Sequence, residues 1–264
     1  MTTPLITILN IGYLRGDLAE WYGLPPGHRA ATGGQKCAVQ CFHLALPGRS
    51  VLVDAASLDL SPEDADMALP GPHPPPLAEQ LAAAGAGAVT DVVNTHSHFD
   101  HINGRTRLLD GRRVPAFPNA RHYLGAGDWD PANFDALQKN TLAVVEQAGL
   151  LRLVHGPLDL GDGLDIVPAP GETPGHQLLH WQGDGQEAYF AGDLFHHPLE
   201  FDEPERNVVW AEPLTMQASK AMLAERASGA ERGAARGARV YFTHIEGPCL
   251  SERDAEGHLH WRPA

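Results

Sequence analysis

Three histidines and one aspartate fall within six consecutive positions, directly after a short apolar segment. The stretch is "NTHSHFDHING", residues 94–104, and it contains His96, His98, Asp100 and His101. Taking imidazole and carboxylate groups out of water is costly unless they are paired or coordinate a cation. This dense group therefore predicts a metal site, and it requires a fold that holds the segment at a protected edge.

Four of the predicted strands run into residues of the types that bind metals. "VVNT" leads into His96, "IVPAPGETPG" into His176, "YFAG" into Asp193, and "VYFT" into His244. Strand ends are rigid and the loops beyond them converge, so distant parts of a chain can place ligands around the same ions. His96 and His98 alternate along the chain, whereas Asp100 and His101 come a turn later. This spacing favours two adjacent ions over one.

The remaining pattern predicts a layered α/β protein. Alternating or β-branched segments predict strands at 4–14, 37–46, 50–56, 88–95, 151–156, 163–171, 177–182, 187–193 and 238–244. The first three, separated by Gly/Pro-rich segments, indicate an antiparallel amino-terminal sheet. Helices are predicted at 74–85, at 131–148 with Asp130 as its cap and Pro131 at its first position, and at 215–228.

Length and composition predict one globular domain over residues 1–264. The chain is 43% hydrophobic, enough for a sizeable core, and its formal net charge is −14. Such a charge repels phosphate backbones, so we expect a small-molecule substrate and no nucleic-acid partner. A homodimer stays open.

Cysteine usage and hydropathy bear on the expected location. Three cysteines (Cys37, Cys41 and Cys249) follow no framework spacing, which favours reduced thiols. The start "MTTPLITILN" lacks the pattern of a secretory signal, and no window approaches the length of an apolar membrane span. We therefore expect a cytoplasmic protein without membrane contact.

The segment "THSHFDH" resembles the H-x-H-x-D-H signature of the metallo-β-lactamase fold superfamily. "GETPGH", "FAGD" and "FTH" follow in that family's order and at its usual spacing, so the resemblance runs from about residue 5 to the carboxyl terminus. It implies an α/β fold, an αββα sandwich in which two mixed sheets carry helices on their outer faces. The site is then expected at one edge of the sandwich.

The resemblance also implies a ligand set for two ions. It places the first ion on His96, His98 and His176, the second on Asp100, His101 and His244, and Asp193 between the two as a bridging ligand. The family motif "GHTPGH" appears here as "GETPGH", with Glu172 at its first histidine. We interpret that position as not a ligand.

Nitrogen and carboxylate donors without thiolate suit zinc, so we expect two Zn²⁺ per chain. Mn²⁺, Fe²⁺ and Co²⁺ remain alternatives because donor type alone does not select among these ions. Two ions about 3.5–4 Å apart hold a bridging hydroxide that can attack a carbonyl or phosphoryl centre. Asp100 is the expected catalytic residue that orients the nucleophile and passes a proton to the leaving group.

His196 is the second expected catalytic residue. In the related lactonases a tyrosine three positions beyond the bridging aspartate contacts the substrate, and His196 stands at that position here. Surface exposure of His196 and His197 is the competing interpretation. Trp21, Trp129 and Phe134, together with Trp210, are candidates for the wall of an apolar pocket.

The resemblance to N-acyl homoserine lactonases and methyl parathion hydrolase implies hydrolysis of a small neutral or apolar ester, lactone or phosphotriester. One alternative is a glyoxalase II-like thioester hydrolase, which shares "TPGH" but usually carries a helical carboxyl-terminal domain. Another is a mononuclear iron persulfide dioxygenase, which uses only the first metal position. A purely structural zinc site is disfavoured because such sites are usually closed cages of four ligands.

Overall fold

β-Branched and aromatic segments build two mixed sheets in this computed structural model, which describes residues 5–31, 35–58, 67, 69, 73–229, 237–254, 256 and 258–264. In chain order the strands are β1 (Leu5–Gly16), β2 (Gln35–Leu46), β3 (Arg49–Val53), β4 (Asp91–Val93), β5 (Thr106–Leu109), β6 (Arg112–Pro115), β7 (Arg121–Gly125), β8 (Leu151–Val154), β9 (Leu158–Gly161), β10 (Leu164–Pro168), β11 (Gln177–Gly183), β12 (Gln186–Phe190), β13 (Arg239–Tyr241), β14 (Pro248–Arg253) and β15 (Leu259–Pro263). The helices are α1 (Leu18–Tyr22), α2 (Leu77–Ala83), α3 (Phe99–Ile102), α4 (Ala136–Asn140), α5 (Leu142–Gln147), α6 (Leu199–Asp202) and α7 (Pro213–Ser228).

The first sheet has the order β1-β2-β3-β4-β7-β8, and the second has the order β15-β14-β13-β12-β11-β10-β9. Strands β1 to β3 pair antiparallel, which confirms the predicted amino-terminal arrangement, and β3, β4, β7 and β8 pair in parallel. In the second sheet β12 and β13 are parallel and the other pairs are antiparallel. Strands β5 and β6 form a separate hairpin.

The two sheets pack face to face and enclose a hydrophobic core. Phe42 and Val93 of the first sheet pack in one cluster with Ile166, Leu179 and Phe190 of the second. On the outer faces, α2 contacts β1, α5 contacts β8, and α7 contacts β14 and β15. Because each sheet buries one face against its partner and the other under helices, the predicted αββα sandwich is confirmed.

The prediction of one helix at 131–148 is wrong in two respects: the helix begins later, and it is divided into α4 and α5. Asp130 instead accepts a hydrogen bond from the Asn133 side chain in a preceding turn. The N-cap of the first helix is Asp135. Its carboxylate accepts a hydrogen bond from the Gln138 backbone N–H, and the Gln138 side-chain oxygen accepts one from the Asp135 backbone N–H. The backbone of Thr141 (φ −120°, ψ −73°) then separates α4 from α5.

The topology brings the carboxyl ends of two parallel strand pairs to one edge of the sandwich. In the first sheet β3 ends before Asp54 and β4 ends before residues 94–96, and in the second β12 and β13 end before Asp193 and His244. Side-chain amides join the sheets there, because Gln40 donates to the carbonyls of residues 242, 243 and 245, and Gln177 donates to Asn94. Among the described helices, none has the length and apolar character to cross a membrane.

Candidate metal centre

Imidazole and carboxylate donors from four segments of the chain meet at this edge. The donor atoms form two groups. Within each group, all of the donor atoms lie within 4.8 Å of one another. We call His96, His98, Glu172 and Asp193 the first donor group, and Asp100, His101 and His244 the second donor group. Helix α3 presents Asp100 and His101, which explains their appearance one turn after the loop that carries His96 and His98.

Asp193 lies at the centre of the assembly. Its Oδ2 is 3.2 Å from His101 Nε2, 3.1 Å from His244 Nε2 and 3.8 Å from His96 Nε2. The preceding Gly192 has φ +52°, and a side chain there would meet Thr95 Cβ at 2.6 Å and His176 Nε2 at 2.9 Å. The sequence "FAGD" thus needs glycine to bring the Asp193 carboxylate between the two donor groups.

Unpaired buried atoms show that these donors fit a cation. Among the residues that the structure describes, His96 Nε2, His101 Nε2, Asp193 Oδ1 and Glu172 Oε2 are buried without a hydrogen-bond partner. Four such atoms in one small region would carry a large desolvation cost, and divalent ions would remove it. The donor set is oxygen and nitrogen only, which suits Zn²⁺, Mn²⁺, Fe²⁺ or Co²⁺.

The electrostatics keep the central carboxylate ionised. Burial alone would raise the pKa of Asp193, but His101 and His244 outweigh it and hold that pKa well below its usual range. Asp100 behaves similarly, since burial is outweighed by His101 and His244 and its pKa is lowered. Both carboxylates are therefore available as anionic ligands without first losing a proton.

Asp54, which the sequence analysis did not single out, contacts the second donor group through the His101 ring. Its Oδ2 lies 2.8 Å from His101 Nδ1, and its Oδ1 accepts the Thr95 backbone N–H at 2.8 Å. The backbone of Asp54 has φ +58°, a left-handed conformation that Asp tolerates better than most residues. Because Nδ1 of His101 is engaged by Asp54, Nε2 of that ring faces the donors.

Replacing Asp54 with asparagine should weaken ion binding at the second donor group by roughly 10–100-fold, the usual effect of removing a carboxylate behind a metal-bound histidine. Asparagine has one acceptor oxygen, so it cannot accept from both the Thr95 N–H and His101 Nδ1, and the negative charge beside the ring is lost. Titration of metal-stripped Asp54→Asn with Zn²⁺ measures the affinity. Asp91→Asn is the matched control: Asp91 is a buried carboxylate at the amino end of β4, paired with Arg49 and Arg121. Equal affinity losses in both variants would remove the orienting role.

Asp128 joins the two loops that carry the first donor group. Its carboxylate accepts hydrogen bonds from the Ser97 N–H at 2.9 Å, the Thr173 hydroxyl at 2.9 Å and the Gly175 N–H at 2.7 Å. Gly175 admits no side chain, since a Cβ would meet Asp128 Oδ1 at 2.6 Å. Asp128 therefore fixes the position of the 171–176 turn relative to the loop at 95–98.

His176, the third expected ligand of the first ion, lies beside the first donor group and contacts Asp193. Among the described residues neither donor group includes His176. Its Nδ1 lies 3.0 Å from the Ala169 carbonyl oxygen, and its Nε2 accepts the Asp193 N–H at 3.3 Å. Both ring nitrogens thus contact the backbone, and the ring packs beside His96 with 5.2 Å between centroids.

Glu172, which the sequence analysis interpreted as not a ligand, lies within the first donor group. Its Oε1 is 3.3 Å from His98 Nδ1 and 3.4 Å from His196 Nε2, and the residue is 4% exposed. Burial would raise the pKa of Glu172, but His196 and His98 outweigh it and lower that pKa. The sequence signal was present in "GETPGH", where a carboxylate stands at a histidine position of the family motif.

His196 is buried inside the site, so the surface interpretation of this residue is wrong. It is 3% exposed, and its Nε2 lies 3.4 Å from Glu172 Oε1 and 3.5 Å from Asp193 Oδ2. Burial would lower the pKa of His196, but the carboxylates of Glu172 and Asp193 outweigh burial and raise it well above its usual value. Its ring stacks on His244 with centroids 5.7 Å apart.

A buried ion pair anchors the loop that carries His196. Glu200 Oε1 accepts the His196 N–H at 2.8 Å and the Tyr22 hydroxyl at 2.6 Å, and Glu200 Oε2 pairs with Lys220. His197 has a local role instead, because its Nδ1 accepts the Leu199 N–H at 3.0 Å. The two neighbouring histidines therefore differ in environment.

The four aromatic candidates divide into two pairs. Trp21 and Trp210 lie beside His196, with ring centroids 6.3 Å and 5.9 Å from it. Trp129 and Phe134 instead contact each other and pack in the core beside α4 and α5. Only the first pair adjoins the donor groups.

Comparison with known proteins finds a matching family model and several curated relatives. The profile described as "Metallo-beta-lactamase superfamily" matches residues 35–259. A hydroxyacylglutathione hydrolase of Anaeromyxobacter dehalogenans (strain 2CP-C) is 32% identical over 48% of this chain and 44% of its own length. The probable metallo-hydrolase YybB of Bacillus subtilis (strain 168) is 26% identical over 45% of this chain and 51% of its own length. The matches thus span about half the length of these curated relatives.

Solved structures share the fold at low identity. The hydrolase AbOPH, described as in the beta lactamase superfamily, has a TM-score of 0.76 at 19% identity, with 100% of this chain and 95% of that chain covered. AidC, described as a dizinc quorum-quenching lactonase, has a TM-score of 0.73 at 18% identity, with 100% and 96% covered. The profile match covers well over half of the sequence, so this chain belongs to the metallo-β-lactamase superfamily.

Proposed function

We propose that this protein is a dinuclear metal-dependent hydrolase of a small neutral or apolar ester, lactone or phosphotriester. The observation that carries the proposal is the pair of adjacent donor groups with the Asp193 carboxylate between them. His96, His98 and His176 would hold one ion, and Asp100, His101 and His244 would hold the other, with Asp193 between them. Structural zinc sites use one closed cage, so two adjoining groups favour catalysis.

A pair of bound divalent ions would supply a nucleophile at neutral pH and would polarise the oxygen of the scissile bond. The protein's own residues then move the proton. Asp100 is 5% exposed, with Oδ2 3.3 Å from His244 Nε2 and Oδ1 3.7 Å from His101 Nε2. A buried, ionised carboxylate at this place suits a general base that later returns its proton to the leaving group.

The surface beside the site favours an apolar substrate. The segment 207–212 lies next to the donors because Val209 N–H donates to Trp21 O at 2.8 Å and Glu212 N–H donates to Gly171 O at 2.8 Å. On this segment Val209 is 62% exposed and Trp210 is 46% exposed. Exposed apolar side chains next to a polar site are typical of surfaces that contact the hydrophobic part of a ligand.

Thioester hydrolysis is the second candidate. Three of the curated relatives carry the name hydroxyacylglutathione hydrolase, with identities of 30–32% over 45–48% of this chain. The dinuclear centre would serve both candidates equally, because both reactions add a hydroxide to a polarised carbonyl or phosphoryl centre. The two candidates differ in the leaving group and in the part of the substrate that lies beyond the scissile bond.

A substrate panel on metal-analysed protein tests the proposal. Purified protein is assayed with chromogenic esters, N-acyl lactones, phosphotriesters and S-acyl glutathiones, and oxygen uptake is followed with glutathione persulfide. We expect two ions per chain and hydrolysis of a neutral ester, lactone or phosphotriester that is lost on chelation and restored by Zn²⁺ or Mn²⁺. Preference for the S-acyl glutathiones would select the second candidate. One iron per chain with thiol-dependent oxygen uptake would contradict both.

A further inference from the structure

We propose that Trp21 and Trp210 form a corner that binds a planar aromatic ring of the substrate next to the scissile bond, and that Glu172 positions Trp210 in it. We call these two indoles the aromatic corner. The inference rests on the proposed hydrolytic function and adds to it the class of group that lies beside the scissile bond. Glu172 is a positioning residue here, at the place where "GETPGH" departs from the family motif.

The two indoles meet nearly at a right angle beside His196. Their ring centroids are 6.1 Å apart, and their planes are inclined by 79°. The His196 ring contacts both indoles edge to face, with its centroid 6.3 Å from that of Trp21 and 5.9 Å from that of Trp210. Because His196 Nε2 lies 3.5 Å from Asp193 Oδ2, the aromatic corner adjoins the centre of the two donor groups. A group bound in the corner is therefore close to the scissile bond.

The shape of the aromatic corner favours a planar ring. Trp210 keeps 46% of its surface exposed, and Trp21 is partly buried. A planar aromatic ring can stack on one indole while its edge meets the face of the other, and aromatic rings prefer both of these arrangements. A saturated ring or an alkyl chain gains only the burial of apolar area. The corner should thus prefer an aromatic group to an aliphatic group of the same size.

Glu172 fixes the orientation of the Trp210 ring. The indole N–H donates to Glu172 Oε1 at 2.7 Å, and Glu172 is 4% exposed, so this hydrogen bond is sheltered from water. The same oxygen lies 3.4 Å from His196 Nε2. One carboxylate oxygen therefore contacts both a ring of the aromatic corner and the imidazole beside the donor groups.

Backbone hydrogen bonds hold the two indoles relative to each other. The Trp21 N–H donates to Asp17 O at 2.8 Å within α1, and Trp21 O accepts the Val209 N–H at 2.8 Å. The Glu212 N–H donates to Gly171 O at 2.8 Å, which joins the segment after Trp210 to the turn that carries Glu172. The aromatic corner is thus preorganised, so a ligand need not order it on binding.

Binding of 2-naphthol and decahydro-2-naphthol tests the aromatic corner without turnover. These bicyclic alcohols share a carbon framework, but only the first is planar and aromatic. Equilibrium dialysis against metal-loaded wild type should give a Kd roughly threefold to tenfold lower for 2-naphthol, the scale of one or two aromatic contacts. Trp210→Leu should abolish this preference. An equal Kd for the two alcohols in wild type, or an unchanged preference in Trp210→Leu, would overturn the inference.

Leu214→Ala is the matched control for Trp210→Leu. Leu214 is an apolar residue of the first turn of α7, it is 77% exposed, and it lies outside the aromatic corner. This variant should keep the preference for 2-naphthol. An equal loss of preference in Leu214→Ala and Trp210→Leu would show that general surface hydrophobicity, and not the corner, binds the ring.

Glu172→Leu and Glu172→Gln test the positioning role. Glutamine keeps an acceptor oxygen for the Trp210 indole, so Glu172→Gln should keep the preference, whereas Glu172→Leu should lose most of it. Because Glu172 lies in the first donor group, both variants are also compared with metal-stripped wild type, which separates loss of an ion from movement of the indole. Full preference in Glu172→Leu would show that Trp210 does not depend on this carboxylate.

Turnover separates this inference from the proposed function. Benzyl acetate should be hydrolysed with a kcat/KM roughly threefold to tenfold higher than that of cyclohexylmethyl acetate, and Trp210→Leu should remove this difference mainly through KM. A binding preference without hydrolysis of any substrate in the panel would reject the proposed function and retain the aromatic corner. Hydrolysis without a binding preference would reject the corner and retain the function.

Discussion

Asp193→Ala should lose both ions and reduce kcat/KM by more than roughly a thousandfold, since removal of a single transition-state donor already costs a hundredfold to a thousandfold. Asp193 is the only described donor whose carboxylate adjoins histidines of both groups: Oδ2 is 3.8 Å from His96 Nε2, 3.2 Å from His101 Nε2 and 3.1 Å from His244 Nε2. Without it, these buried imidazoles face one another with one anionic ligand fewer. Elemental analysis and kinetics on the same preparation measure the two effects.

His244→Ala is the graded comparison for Asp193→Ala. His244 belongs to the second donor group, and its Nδ1 lies 2.6 Å from the Ala38 carbonyl oxygen, which orients the ring. We expect this variant to lose mainly one ion and to keep the other. Asp193→Asn, which keeps the volume of the side chain, separates loss of charge from loss of packing. Two ions retained in Asp193→Ala would show that the carboxylate is not shared.

The parts of the site that the sequence predicted are those fixed by local spacing and strand ends. His96, His98, Asp100 and His101 lie within six residues, and their short separation nearly determines that they meet. Asp193 and His244 follow β12 and β13, which are parallel neighbours, so both side chains reach the same edge. In the sequence, an alternating strand segment followed by a residue of a metal-binding type predicts this placement.

The turn at 171–176 shows what local sequence could not supply. The position of Glu172 beside His98 depends on contacts from distant segments: Asp128 accepts from Gly175, and Gly171 packs against Met216 of α7. Asp54 was missed for a related reason. An aspartate after a strand resembles an ordinary turn residue, and its contact with His101 joins positions 47 residues apart.

The sequence also left His196 open to two interpretations, a surface loop residue or a residue of the site. A histidine pair after a strand has no sequence feature that separates a surface loop from a buried site. The structure separates them because Glu200, held by Lys220 and Tyr22, accepts the His196 N–H and draws the loop inward. Lys220 lies on α7, more than twenty residues later in the chain.

His196→Ala should keep both ions yet lower turnover by roughly tenfold to a thousandfold, the scale of losing one donor aimed at developing charge. Nε2 of His196 lies beside Asp193 and Glu172 but belongs to neither donor group, so its imidazole N–H can reach a substrate oxygen. The contribution of an imidazole donor changes as the ring titrates, so turnover of the wild type and of His196→Ala is compared from about pH 5 to pH 9. His197→Ala is the matched control: the His197 ring accepts the Leu199 N–H and lies in neither donor group, so this variant should leave turnover unchanged. Unchanged turnover in His196→Ala would exclude the donor role, and loss of an ion would identify His196 as a metal ligand.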